Sequence, residues 1–128
     1  MKPNVLIVDD DDVNNFLCRR IISATNFSDN VTTFINADMA LDYLESNASE
    51  ISVLPDIIFL DINMPVKNGW DFLEEYKSVK PRLKKPIKIY MLSSSVYPDD
   101  IAKANNYEDV TSYISKPLSE SILSNIEI

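Results

Sequence analysis

The 128-residue chain contains no histidine, one cysteine, one glycine and one tryptophan. Without histidine, imidazole general bases, Ser-His-Asp triads and His-ligated zinc are excluded together, so any chemistry rests on carboxylates, hydroxyls and lysine. A single cysteine, Cys18, cannot close an internal disulfide, and its apolar helical surroundings predict a small buried side chain. The lone glycine, Gly69, falls where "VKNGW" turns from loop into helix, which predicts a positive φ. Neither end carries a long apolar stretch, so no signal peptide or membrane span is expected, and the protein is predicted to be soluble and cytoplasmic. A formal net charge of -8 lacks the Lys and Arg excess that displaces counterions from a phosphate backbone, which argues against direct nucleic-acid binding.

What the sequence does contain is a core of ordinary size. Its 45% hydrophobic content fits one domain over residues 1–128. Five apolar bursts read as strands: "NVLIV" (4–8), "VTTFI" (31–35), "DIIFLD" (56–61), "IKIYML" (87–92) and "VTSYIS" (110–115). The first is continuous and β-branched, as a parallel strand covered on both faces requires; the second is the weakest. Helical spacing fills the gaps. One apolar face is expected from Val13, Phe16, Leu17, Ile21 and Ala24, a second from Met39, Ala40, Tyr43 and Leu44, and a third from Phe72, Leu73 and Tyr76. A fainter one runs through Ile101, Ala102 and Asn105, and a last helix opens at Ser119 with Ile122, Leu123 and Ile126 following.

Strands alternating with helices predict an α/β fold, a doubly wound five-stranded parallel sheet whose sites lie beyond the strand C-termini. Asp9 and Asp10 end the first strand, Asp61 the third and Ser93, Ser94 and Ser95 the fourth, while Lys116 follows the fifth. Each has an ordinary structural explanation alone, since acids cap helices and serines fill turns; together they suggest a site. Asp11 and Asp12 belong with the start of the first helix, where negative charge complements the dipole. Hard oxygen ligands without His or Cys suit Mg²⁺ or Mn²⁺, shared by Asp9, Asp10 and Asp61. With the cation screening its neighbours, one aspartate is free to act as a nucleophile toward phosphorus, assisted by Lys116 and Ser93.

The motifs "VLIVDDDD", "IIFLDINMPVKNGWDFL", "IYMLSSS" and "YISKPL", in this order and spacing, resemble the receiver domain of the two-component response regulator family over the whole chain. The resemblance implies a flavodoxin-like (βα)5 fold with strand order 2-1-3-4-5. It implies Asp61 as phosphoacceptor, and Asp9, Asp10, Asp61 and the main-chain carbonyl of Asn63 as metal ligands. Ser93 and Lys116 would meet the phosphoryl group, Tyr113 would be the switching aromatic, and Pro117 would follow a cis bond that aims Lys116 inward. A histidine kinase or histidine phosphotransfer protein is the implied donor, and a protein target the implied recipient of the signal. The chain would be no enzyme beyond its own phosphorylation and autodephosphorylation. A phosphorelay intermediate and an aspartate-nucleophile phosphohydrolase remain as alternatives. Asn63 and Ser95, each two residues past a site residue, are expected to affect water access to an aspartyl-phosphate. Pro65 shapes the loop, Trp70 packs the third helix, and the basic "KSVKPRLKKP" segment reads as a solvated loop. Ala37 stands where many receivers have glycine. A short last helix ending at Ile128 favours a monomer.

Overall fold

A computed structural model of the chain describes residues 2–94 and 97–126. Its five strands are β1 (Asn4–Val8), β2 (Asn30–Phe34), β3 (Ile57–Leu60), β4 (Lys88–Ser93) and β5 (Val110–Ser115). Between and after them run α1 (Asp12–Ala24), α2 (Ala37–Ser46), α3 (Gly69–Val79), α4 (Pro98–Asn105) and α5 (Glu120–Ser124). All pairings are parallel and the strand order is 2-1-3-4-5, the doubly wound arrangement expected. β1 and β3 are central and buried along their apolar length, which explains their unbroken hydrophobic runs. β2 is an edge strand and half-exposed, so its weak signal reflects its place in the sheet. No helix among the described residues is long and apolar enough to cross a membrane.

Two cores flank the sheet. On one face Leu6, Val8, Ile58, Leu60 and Met91 pack against Leu44 of α2, Phe72, Leu73 and Tyr76 of α3, and Ala104 of α4. On the other, Val5, Ile7, Phe59 and Leu92 meet Cys18 and Ile22 of α1 and Leu123 of α5. Trp70 and Cys18 are packing residues, as expected. Burial, followed by the nearby Asp9 charge, pushes the Cys18 thiol up to about 11, so it stays protonated at neutral pH.

The buried face of α1 differs from the expected one. Val13, Phe16 and Leu17 are 67%, 57% and 53% exposed, Ala24 is also exposed, and the inward side carries Asn14, Asn15, Cys18 and Ile22. The first turn of α1 faces Asp9, and two asparagines turned inward satisfy its carboxylate and its carbonyl; that fixes the helix rotation and leaves Val13, Phe16 and Leu17 outside, while Ile21, of the expected face, is half-buried against the core. In α4 the expected face is likewise exposed: Ala104 alone is buried, because the eight-residue helix touches the core only near its end. Met39 in α2 is 47% exposed while Leu41, outside the expected face, is buried. The basic segment is no free loop. It spans the end of α3 and a 3₁₀ turn (Lys80–Arg82), and Lys77, Lys80, Arg82 and Lys85 reach Glu74, Asp109, Glu45 and Asp56.

Helix ends follow the caps in the sequence. Asp11 accepts from the N–H groups of Val13 and Asn14, and Ser119 accepts from that of Ile122. Asn68 and Asp71 form a reciprocal capping box on α3. Asn26 ends α1 with φ 57, its N–H bonded to the Ser23 carbonyl and that of Phe27 to Ile22, a Schellman closure in which asparagine replaces glycine. Val66, in the loop after β3, has φ 69 and is 99% exposed. A β-branched residue there costs about 1–2 kcal/mol and this one buries almost nothing in return. Val66→Asn is therefore expected to stabilise the fold by about 1 kcal/mol, read as a higher urea midpoint; an unchanged or lower midpoint contradicts the strain.

Candidate functional site

The sheet register assembles the site. Val8 lies opposite Leu60, and the Asp61 N–H bonds the Val8 carbonyl at 2.9 Å, so Asp9 and Asp61 leave the sheet side by side. Ser93 lies opposite Ser115, and the Lys116 N–H bonds the Ser93 carbonyl at 2.9 Å, which brings the lysine to the same crevice. The Lys116–Pro117 peptide is cis. One carboxylate oxygen from each of Asp9, Asp10 and Asp61 lies within 4.8 Å of the others. Lys116 Nζ is 2.8 Å from Asp9 Oδ2 and 3.5 Å from Asp61 Oδ1.

The electrostatics are those of an under-neutralised acidic cluster. Asp9 and Asp61 are buried, whereas Asp10 is exposed at the rim. Burial, and then the charge of Asp9, pushes the Asp61 carboxyl up to about 6, against the downward pull of Lys116. For Lys116 burial works downward, but the Asp9 hydrogen bond and the Asp61 charge outweigh it, so the ammonium is held above its ordinary value. Three carboxylates against one ammonium leave an excess of negative charge among hard oxygen donors. A divalent cation of the Mg²⁺ or Mn²⁺ type suits that donor set in both charge and ligand chemistry.

The remaining expected residues sit around this centre. Ser93 is fully buried at the end of β4. Asn63 is exposed on the loop after β3, and Tyr113, opposite Met91 on β5, is half-buried against the core on the α3 side. Ser95 lies outside the described residues, as does the end of the last helix at residues 127–128. Gly69 is also part of the site's scaffold, though not through the positive φ expected of it: its φ is not in the left-handed region. The reason is close approach. A Cβ on Gly69 would stand 2.5 Å from the carbonyl oxygen of Asp61 and 3.0 Å from Cα of Ile62, and the Gly69 N–H bonds the Ile62 carbonyl at 2.8 Å. The start of α3 is thus pressed directly against the backbone that carries Asp61.

Sequence reasoning missed Asn14 and Asn15. Asn14 Nδ2 donates to Asp9 Oδ2 at 2.8 Å, and Asn15 Nδ2 donates to the Asp9 carbonyl at 2.9 Å. The signal was there: two adjacent asparagines inside a helix are poor helix formers and expose no reason of their own for being so placed.

Known proteins resemble the chain throughout. The family described as "Response regulator receiver domain" matches residues 5–126. A two-component response regulator from Cytophaga hutchinsonii is 36% identical, with a TM-score of 0.87, over 98% of this chain and 94% of that one. The probable methanogenesis regulatory protein FilR2 of Methanothrix harundinacea is 30% identical over 115 residues, 90% of this chain and 72% of that protein. The phosphorylated cyanobacterial phytochrome response regulator RcpA is 27% identical, with a TM-score of 0.73, covering 97% of this chain and 88% of its own.

Proposed function

From the premise that this chain belongs to the response regulator receiver domain family, we propose that it is a phosphorylation switch of a two-component system with Asp61 as phosphoacceptor. The observation that carries this reading is the convergence of Asp61, Asp9, Asp10 and Lys116 at the C-terminal edge of the sheet. RcpA, a relative with the same fold, is described in phosphorylated form, which supports the same chemistry here.

Asp9, Asp10 and Asp61, with the main-chain carbonyl of Asn63, would hold Mg²⁺ or Mn²⁺. When bound, such a cation supplies positive charge that offsets the carboxylate repulsion and the charge on the transferring phosphoryl oxygens. Asp61, ionised above about pH 6, attacks the phosphorus of a phosphohistidine on a kinase or phosphotransfer protein. The new bond is Asp61 Oδ to phosphorus; the phosphorus–nitrogen bond breaks, and the departing imidazole nitrogen takes a proton from solvent. Lys116, already 3.5 Å from Asp61 Oδ1, pairs with a phosphoryl oxygen, and the Ser93 hydroxyl donates to another. No general base is required, in keeping with the absence of histidine.

The phosphoryl group adds about -1.5 to -2 charges and three acceptor oxygens. Ser93 moves to meet it, Tyr113 occupies the space released, and the altered surface near α4 binds a protein target. The chemistry is confined to the chain's own phosphorylation and its hydrolysis, and the setting is the cytoplasm. The test is intact mass after incubation with acetyl phosphate and Mg²⁺. A gain of one phosphoryl group that is absent in Asp61→Asn and without Mg²⁺ supports the reading; the same gain in Asp61→Asn overturns it.

A further inference from the structure

Asn14 is a buried polar side chain at this site that the phosphoryl chemistry does not use. It is nine-tenths buried, on the inward face of the first turn of α1, with its amide directed at Asp9. Asp9 is held from several sides. Its Oδ1 accepts the Asp11 N–H at 2.9 Å, and its Oδ2 accepts both Asn14 Nδ2 and Lys116 Nζ, each at 2.8 Å. Its carbonyl accepts Asn15 Nδ2, and its N–H donates to the Phe34 carbonyl. A carboxylate offers about four lone-pair positions in its plane. Two on Oδ2 and one on Oδ1 are taken, so a single position on Oδ1 is left for anything else.

We propose that Asn14 is a positioning residue that makes Asp9 a one-point ligand and thereby sets the site's preference for Mg²⁺ over Ca²⁺. The inference rests on the metal reading above. Mg²⁺ takes an octahedral shell at about 2.1 Å with carboxylates bound through one oxygen and the rest water, whereas Ca²⁺ accepts six to eight oxygens and readily takes a carboxylate through both. With Oδ2 closed by the Asn14 amide and the Lys116 ammonium, Asp9 cannot chelate through both oxygens. Lys116 alone does not enforce this, because its ammonium is also shared with Asp61 and can move toward it. The Asn14 amide is carried on a helix, and the carboxylate it donates to is that of Asp9. Outer contacts of this kind alter metal affinity by roughly 10- to 100-fold when removed.

Isothermal titration with MgCl₂, MnCl₂ and CaCl₂ on the unphosphorylated chain reads the effect without reference to phosphorylation. For Asn14→Leu, Mg²⁺ affinity is expected to fall about tenfold while Ca²⁺ affinity falls less or not at all, so the Mg²⁺:Ca²⁺ preference narrows. Asn14→Ala, which removes the donor without adding a charge or a ligand, is read by the same ratio and serves if Asn14→Leu does not fold. A ratio unchanged in the variant, as when both affinities drop together, assigns Asn14 a packing role and overturns the proposal while the metal site stands. Absence of Mg²⁺ and Mn²⁺ binding by the native chain overturns it together with the metal reading.

Discussion

Gly69→Ala is expected to destabilise the fold by about 2–3 kcal/mol, although alanine is the better helix former by about 1 kcal/mol. The added methyl would meet the Asp61 carbonyl oxygen at 2.5 Å and Ile62 Cα at 3.0 Å, and both are backbone. Cε of Met91, at 3.2 Å, can move aside on its flexible side chain, but the backbone contacts cannot open unless α3 withdraws from β3. Withdrawal lengthens the 2.8 Å bond from the Gly69 N–H to Ile62, and α3 also anchors Trp70, Phe72, Leu73 and Tyr76 in the core. Overpacking against fixed atoms therefore outweighs helix propensity. Urea unfolding followed by far-UV circular dichroism measures the difference. A variant as stable as the native chain, or more so, contradicts the close approach.

Asp61→Asn is expected to do the opposite: to stabilise the metal-free protein at pH 7.5 by about 3 kcal/mol. An aspartate moved from 3.8 to about 6 by burial and the Asp9 charge loses that much when it ionises in the folded state. The sign follows from proton counting. Between pH 3.8 and about 6 the unfolded chain has released this proton and the folded chain has kept it, so stability falls as pH rises through that window and stays low above it. Asparagine removes the dependence. The advantage of Asp61→Asn should be absent near pH 3.5, grow through about pH 4 to 6 and be complete by about pH 7. Mg²⁺ should erase much of it by stabilising the native chain through mass action. An advantage independent of pH contradicts this electrostatic origin.

Both effects arise where strand ends meet, and it is there that the sequence was most and least informative. Asp9, Asp10, Asp61, Ser93 and Lys116 were legible because each ends or follows an apolar burst, and a parallel sheet brings such ends to one edge. Strand limits came within a residue because central strands are apolar throughout. Helix faces were less legible. Val13, Phe16 and Leu17 have the period of a core face, yet α1 is turned by a polar demand, the carboxylate of Asp9, that hydrophobic spacing does not register. Gly69 was read through the commonest use of glycine, whereas its actual use, room for the backbone that carries Asp61, depends on packing between α3 and the end of β3. The basic segment looked solvated because its acidic partners, Asp109, Glu45 and Asp56, lie on three different elements or loops far away in sequence.

The assignment of Asp61 is open to a direct chemical measurement. Borohydride reduces an aspartyl-phosphate to homoserine, so the chain can be incubated with acetyl phosphate and Mg²⁺, reduced, digested and sequenced by tandem mass spectrometry. Homoserine at position 61 and nowhere else is the expected result; homoserine at Asp9 or Asp10 with position 61 unchanged contradicts it.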